Sequence, residues 1–265
     1  MASDLLIDGL PPTDDDLRYM ALVNYGAYTS FRIEDGGVRG LDLHLARLEA
    51  SAVELFGESL SGDRLRSLIR TAVADRRDAW IRVSLFAPEI VPRSPSAEVR
   101  PRVMTSVSPA PSPLATSVRA QVRTYVRTEA HLKHTAIFPL IRARRLARQA
   151  GFDDALFADA EGLISEGATW NIGFLAGDAV TWPEAPMLHG VAKALISSRL
   201  AEVGLRQTRA PVRVADLDAF DGAFLCNSAT PACPVTAIGD HVFGASPDRI
   251  DRLARAWTSN PVQAI

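Results

Sequence analysis

The sequence predicts an α+β fold in two parts, and three observations carry that prediction. Strand-like and helix-like segments are mixed along the chain without strict alternation, which disfavours a doubly wound parallel sheet. The stretch "SVSPAPSPLATSV" (106–118) carries three prolines among small residues. It reads as an extended linker, because proline fixes φ and disfavours helix in the residue before it. After residue 152, three short apolar segments are separated by turn signals, as in an antiparallel meander. The expected division is an N-terminal α/β domain over 1–110, a linker over 111–120 and a C-terminal domain over 121–265.

In the first part, "YGAYTSFRIEDGGVRGL" alternates and turns at "EDGG", a hairpin signal. A helix follows in "LDLHLARLEASAVELFG". Leu41, Leu45, Leu48, Ala52 and Leu55 recur every three or four residues, and Gly57 closes it. His44 and Arg47 lie three apart beside that stripe. "AWIRVSLFAP" reads as a strand. The second part opens with the strand-like "VRTYV", then "TEAHLKHTAIF" (128–138), then a helix over 136–150 ended by Gly151. "DDALFADAEG", "LISEG" and "NIGFLAGDAVTWP" are the strands of the meander. "MLHGVAKALISSRLAEVG" reads as a helix, "GAFLCN" and "PVTAIGDHVFG" as strands, and "SPDRIDRLARAW" as a last helix capped by Ser246.

Composition narrows the function. Of 265 residues, 47% are hydrophobic and 23% charged, and the net charge of −2 speaks against a general binder of nucleic acid or membrane surfaces. The basic run "RARRLARQ" (142–149) follows a helical pattern and reads as a solvated helix face. No basic and apolar leader opens the chain, and no apolar run approaches the roughly 20 residues of a membrane span. The expectation is a cytoplasmic protein. Cys226 and Cys233 form neither a disulfide framework nor a metal-binding set, so no metal is expected.

Lysine is scarce: Lys133 and Lys193 are the only two, against 27 arginines. Arginine stays protonated, whereas an amine can lose its proton and attack a carbonyl. Lys133, flanked by His131 and His134 and six residues after Arg127, is therefore a candidate for chemistry. Glu166, in "LISEGATWNIGF", sits between two apolar strands and would need a cationic or N–H partner if buried. Two places suit an anion: the helix start in "LHGVAKAL" and the small-residue turn "CNSATPA". A lysine, a buried carboxylate and two phosphate cradles together describe a pyridoxal 5'-phosphate site.

The order and spacing of "YGAYTSFRIEDG", "LHLARL", Lys133, "GFDDALFADAEGLISEGATWNIGF", "TWPEAPMLHGVAKAL" and "FLCNSATPACPV" resemble the fold-type IV pyridoxal-phosphate enzymes. This class IV aminotransferase family includes branched-chain and D-amino-acid aminotransferases and aminodeoxychorismate lyase. The resemblance runs from about residue 23 to 240. It implies a small N-terminal α/β domain and a larger C-terminal domain with an antiparallel, barrel-like sheet. It makes Lys133 the Schiff-base lysine and the base of the proton shift. Glu166 is implied to pair with the pyridine nitrogen, with Asn171 in the strand beside the ring. Arg47, the backbone of Val191 and Ala192, and the Ser228 hydroxyl are implied to hold the phosphate. Tyr28, Thr29 and Ala229 would face the substrate, a small amino or oxo acid. A homodimer is implied, with the site between the two domains and closed partly by the partner subunit.

This sequence also departs from the family pattern. "GVAK" stands where relatives have a "GITR"-like start, so a threonine hydroxyl is lost at Ala192 and Lys193 replaces an arginine. Phe138 stands where branched-chain enzymes place a tyrosine. Thr29 stands where D-amino-acid aminotransferases carry a glutamate and, with "LKH" and "CNSATPACPV", leans towards the lyases. Trp170 either narrows the pocket or packs against the second domain. Transamination is the preferred activity. The alternatives are elimination of pyruvate, as in 4-aminobenzoate formation, and a cofactor-binding pseudoenzyme.

Overall fold

A computed structural model describes residues 4–112, 115–244 and 246–265. Two residues of the expected linker, Pro113 and Leu114, lie outside the described residues. The chain forms two compact units. One comprises the chain through Pro111 together with Leu132–Ala136 and Pro261–Ile265; the other comprises Ser112–His131 and Ile137–Asn260.

The first unit is built from β1 (Asp4–Ile7), α1 (Asp14–Leu22), β2 (Ala27–Ile33), β3 (Gly37–Arg39), α2 (Leu41–Phe56), α3 (Gly62–Val73), β4 (Ala79–Phe86) and β5 (Arg102–Ser108). Its main sheet has the order β1-β5-β4-β2, and every pairing in it is antiparallel. Residues alternate along β2. Ala27, Thr29, Phe31 and Ile33 are buried, while Tyr28, Ser30 and Arg32 are not, as the period of two requires. Phe31 and Ile33 join Leu41, Leu45 and Leu48 of α2 and Leu65 and Ile69 of α3 in one core. The predicted turn forms at Asp35 and Gly36, both with positive φ, the geometry that suits a two-residue hairpin.

Strand β2 is an edge strand, and its free edge takes up the Lys133 segment. The Tyr28 N–H donates to the Lys133 carbonyl (2.8 Å), and the Thr135 N–H donates to the Gly26 carbonyl (2.8 Å). An edge strand presents a row of unpaired N–H and C=O groups. Their capture is why residues 132–136 belong to the first unit, whereas the sequence suggested the second part.

The second unit contains β6 (Val118–Thr124), α4 (Phe138–Gln149), β7 (Asp154–Ala158), β8 (Ile164–Gly167), β9 (Asn171–Ala176), β10 (Ala179–Pro183), α5 (Val191–Arg199), β11 (Arg206–Ala210), β12 (Gly222–Cys226), β13 (Cys233–Ile238), β14 (His241–Val242) and α6 (Pro247–Thr258). The last strand, β15 (Val262–Ala264), pairs with β3 of the first unit. The large sheet has the order β11-β10-β9-β12-β13-β6-β7-β8, with β14 on β13. The α+β class is as predicted, but the sheet is mixed and the meander is interrupted. The hairpins β7–β8 and β9–β10 form, yet β9 takes β12 as its other neighbour. Pairs β6–β7 and β10–β11 are parallel, because α4 and α5 serve as crossovers, which parallel neighbours need. Ser246 sits at the N-cap of α6 without making a cap hydrogen bond. Its hydroxyl instead accepts from Arg249.

Among the described residues, no helix is long and apolar enough to cross a membrane. Gly26 precedes β2 at the point where the Lys133 segment joins it, and a Cβ there would run into the backbone carbonyl of Leu85. Gly26→Ala is expected to destabilise the protein by about 1–3 kcal/mol, measured by urea unfolding.

Candidate active site

In the first unit the site residues gather around the joint between β2 and the Lys133 segment. Register pairs Tyr28 with Ser84 and Ser30 with Arg82, so Tyr28 and Arg82 stand on one face of the sheet. The Arg82 guanidinium lies 3.7 Å from the centroid of the Tyr28 ring, and Lys133 Nζ lies 4.8 Å from the same centroid. Two cations thus share one aromatic ring, an arrangement that favours partly desolvated charge. Arg82 Nε donates to Ser84 Oγ at 3.1 Å, and burial lowers the pKa of its guanidinium. Sequence reasoning missed Arg82; its signal was an arginine inside the apolar strand "AWIRVSLF".

On the opposite face of β2, Thr29 is fully buried, and its hydroxyl shares a 2.6 Å hydrogen bond with His44 Nδ1. The substrate-facing expectation for Thr29 therefore does not match its placement: strand alternation turns it towards α2. His44 is buried, and its Nε2 has no hydrogen-bond partner among the described residues. Its pKa falls well below the usual histidine value, through burial first and then through the nearby cations Arg47 and Lys133. Arg47, one turn along α2, is half-buried.

In the second unit, Glu166 on β8 is buried, with Arg127 Nη1 at 3.6 Å from its Oε1. The same oxygen accepts from the Leu188 N–H at 3.2 Å. Asn171 on β9 holds the other side of that residue, donating from Nδ2 to the Leu188 carbonyl at 2.9 Å. Asn171 thus positions the segment leading into α5. A Cβ on Gly190 would collide with the Asn171 side-chain oxygen, so a larger residue here would displace that amide. Helix α5 then begins at Val191 without a side-chain cap, leaving the first-turn N–H groups that any helix presents. Both Val191 and Ala192 are buried.

Lys193 turns into the second unit, with Nζ 3.3 Å from Met187 Sδ and 5.3 Å from the Trp182 ring centroid. Burial lowers its pKa. Ser228 and Ala229 lie in a turn after β12 that is organised by Asn227. Its Oδ1 accepts from the N–H groups of Ala229 (2.9 Å) and Thr230 (2.7 Å), and sequence reasoning did not assign Asn227 that part. Trp170 is 3% exposed and belongs to the hydrophobic core of the second unit. Its ring lies where a Cβ on Gly167 would be. Phe138 is 72% exposed at the start of α4.

The profile of the family described as "Amino-transferase class IV" matches residues 26–238, which is most of the chain. The chain belongs to the class IV aminotransferases. The D-alanine aminotransferase of Bacillus licheniformis is 23% identical over 235 residues, covering 83% of this chain and 81% of that protein. A probable branched-chain-amino-acid aminotransferase of Synechocystis sp. is 24% identical over 119 residues. That match spans 44% of this chain and only 39% of the relative. Among solved structures, the branched-chain aminotransferase of Thermoproteus uzoniensis with norvaline superposes with a TM-score of 0.84 at 21% identity. It covers 97% of this chain and 93% of the other. The PLP-bound form of a hypothetical aminotransferase from Mycobacterium tuberculosis gives 0.80 at 20% identity, covering 98% and 100%. These likenesses show the fold-type IV architecture that the motifs implied.

Class IV aminotransferases depend on pyridoxal phosphate, and the donor set of this chain fits that cofactor. It offers a scarce primary amine, a buried carboxylate already paired with a cation, and an uncapped helix start suited to phosphate.

The buried His44 makes stability depend on pH. Its folded pKa is lowered, so the unfolded chain binds the proton more readily, and stability falls as pH drops below the unfolded value of about 6.5. Wild-type protein is expected to lose up to about 1.4 kcal/mol per pH unit from this group below that point. His44→Gln should lack that component when urea unfolding is compared from pH 5 to 8.

Proposed function

We propose that this class IV aminotransferase moves an amino group between an amino acid and a 2-oxo acid, using pyridoxal 5'-phosphate. The observation that carries this reading is Glu166, a carboxylate buried in the second unit yet held beside Arg127 and the Leu188 N–H. Such a group suits a protonated ring nitrogen. When bound, the cofactor supplies the electron sink for exchange of the amino group. Lys133 Nζ, as a neutral amine, takes and returns the proton at the substrate carbon. Arg47 and the N–H groups of Val191 and Ala192 hold the phosphate, with the Ser228 hydroxyl as a further donor. Asn171 serves by fixing Leu188. The same reading includes a cytoplasmic homodimer, for which light scattering is expected to give twice the chain mass.

Arg82 supports a carboxylate-bearing substrate. Among the described residues, no carboxylate lies within ion-pair distance of its guanidinium, although it is largely withdrawn from water. A desolvated guanidinium without a counter-ion is costly, and a bidentate carboxylate is its natural complement. Tyr28, beneath it, and Ala229 complete the proposed substrate contacts. Thr29, the residue that most favoured the lyase alternative, is buried against His44.

Incubating holoenzyme with an amino acid alone should convert the cofactor stoichiometrically to its amine form, seen by absorbance. Absence of conversion with every amino donor overturns the transaminase reading. Arg82→Leu is expected to raise KM for amino and oxo acids by about 10- to 100-fold. Amines lacking a carboxylate should be unaffected, and equal losses for both classes would contradict the assignment.

A further inference from the structure

We infer that Arg127 is a positioning residue that keeps Glu166 ionised and fixed, so that it meets the cofactor's ring nitrogen as an anion from neutral pH into mild acid. This rests on the cofactor reading above. Nothing in the sequence pattern assigned Arg127 to Glu166: its proximity to Lys133 along the chain suggested a neighbouring cation for that amine instead.

The geometry is specific. Both side chains are almost entirely withdrawn from water, at 6% and 5% exposure, and Arg127 Nη1 stands 3.6 Å from Glu166 Oε1. A carboxylate buried without a cation takes up a proton rather than remain charged. A protonated Glu166 would meet a protonated ring nitrogen with a much weaker acceptor. Two further contacts hold the carboxylate in place. The Leu188 N–H donates to Glu166, and the Leu188 carbonyl is held by Asn171. Gly190, packed against Asn171, keeps the start of α5 in the same arrangement.

Other charges around Glu166 can be placed. Lys193, on α5, acts on it electrostatically. Asp154, on the adjacent β7, has its own cation in Arg144 at 3.1 Å. Arg127 Nη1 is a cation in salt-bridge range of Glu166. A buried ion pair is poor value as a stability device, because desolvation offsets its Coulombic gain. Retaining one beside the proposed ring-nitrogen acceptor makes sense if the ionised state itself is needed.

The test measures binding of pyridoxamine 5'-phosphate to apoprotein by tryptophan fluorescence, at pH 8 and pH 6. This form needs no covalent link to Lys133. The readout is the ratio of Kd for Arg127→Met to that of wild type. The ratio is expected to rise by about tenfold or more from pH 8 to pH 6, as Glu166 loses its charge in the variant. Arg127→Gln should behave alike, and Arg127→Lys should keep the ratio nearly flat. In a Glu166→Gln background, adding Arg127→Met should introduce no pH dependence. A uniform weakening at both pH values would mark a merely structural pair and overturn the inference. Should Arg127→Met fail to fold, the contrast between the Gln and Lys variants decides on the same criterion. Wild-type protein that binds no pyridoxamine 5'-phosphate at either pH would overturn the cofactor reading instead.

Discussion

The placement of the first unit's candidate residues depends on one backbone interaction, the capture of the Lys133 segment by the edge of β2. The hydrogen bonds at Tyr28 and Gly26 fix the backbone from the Lys133 carbonyl to the Thr135 N–H. That placement brings the amine to the Tyr28 ring and, through alternation along the strand, onto the face that also carries Arg82. Turned the other way, Thr29 locks onto His44 and ties β2 to α2, the helix that bears Arg47. One strand register thereby sorts the amine and guanidinium to one face and the supporting polar pair to the other. Slipping it by one residue would exchange the two sets.

The second unit solves a different problem, which is how to accommodate a carboxylate inside a core. Glu166 sits on a fully buried strand, where water cannot stabilise it. Arg127 supplies the charge and the Leu188 peptide supplies the direction. That peptide also leads into α5, so the carboxylate and the helix start share a mechanical support in Asn171. Lys193 gives the helix no exposed charge, because its stem is buried and its amine rests against Met187 and Trp182.

Much of this was legible in the sequence because it rests on local chemistry. The α2 stripe, the turn at Asp35–Gly36 and the strands around Glu166 all follow from periodicity and turn residues. The scarcity of lysine singled out Lys133, and the apolar setting of Glu166 demanded a partner. Elements β1, α1, α3, β5, β11 and β15 have no counterpart among the sequence-predicted ones. Strand β5 alternates correctly, but it runs into the proline-bearing stretch that reads as linker. Long-range pairing was not legible. Whether β9 pairs with β8 or with β12 depends on sheet closure, and Lys133's place depends on an edge left open by β4 and β2. Thr29 and Arg82 show the same limit, because strand position is visible in a sequence while the neighbours across the sheet are not.

Of the two buried or half-buried lysines, Lys133 is the one proposed to bind the cofactor. Protein reconstituted with pyridoxal 5'-phosphate, reduced with borohydride and digested, gives a direct reading by peptide mass spectrometry. The reduced label should be found on the peptide containing Lys133 and nowhere else. A label on the peptide containing Lys193, or no stoichiometric label at all, would contradict the account.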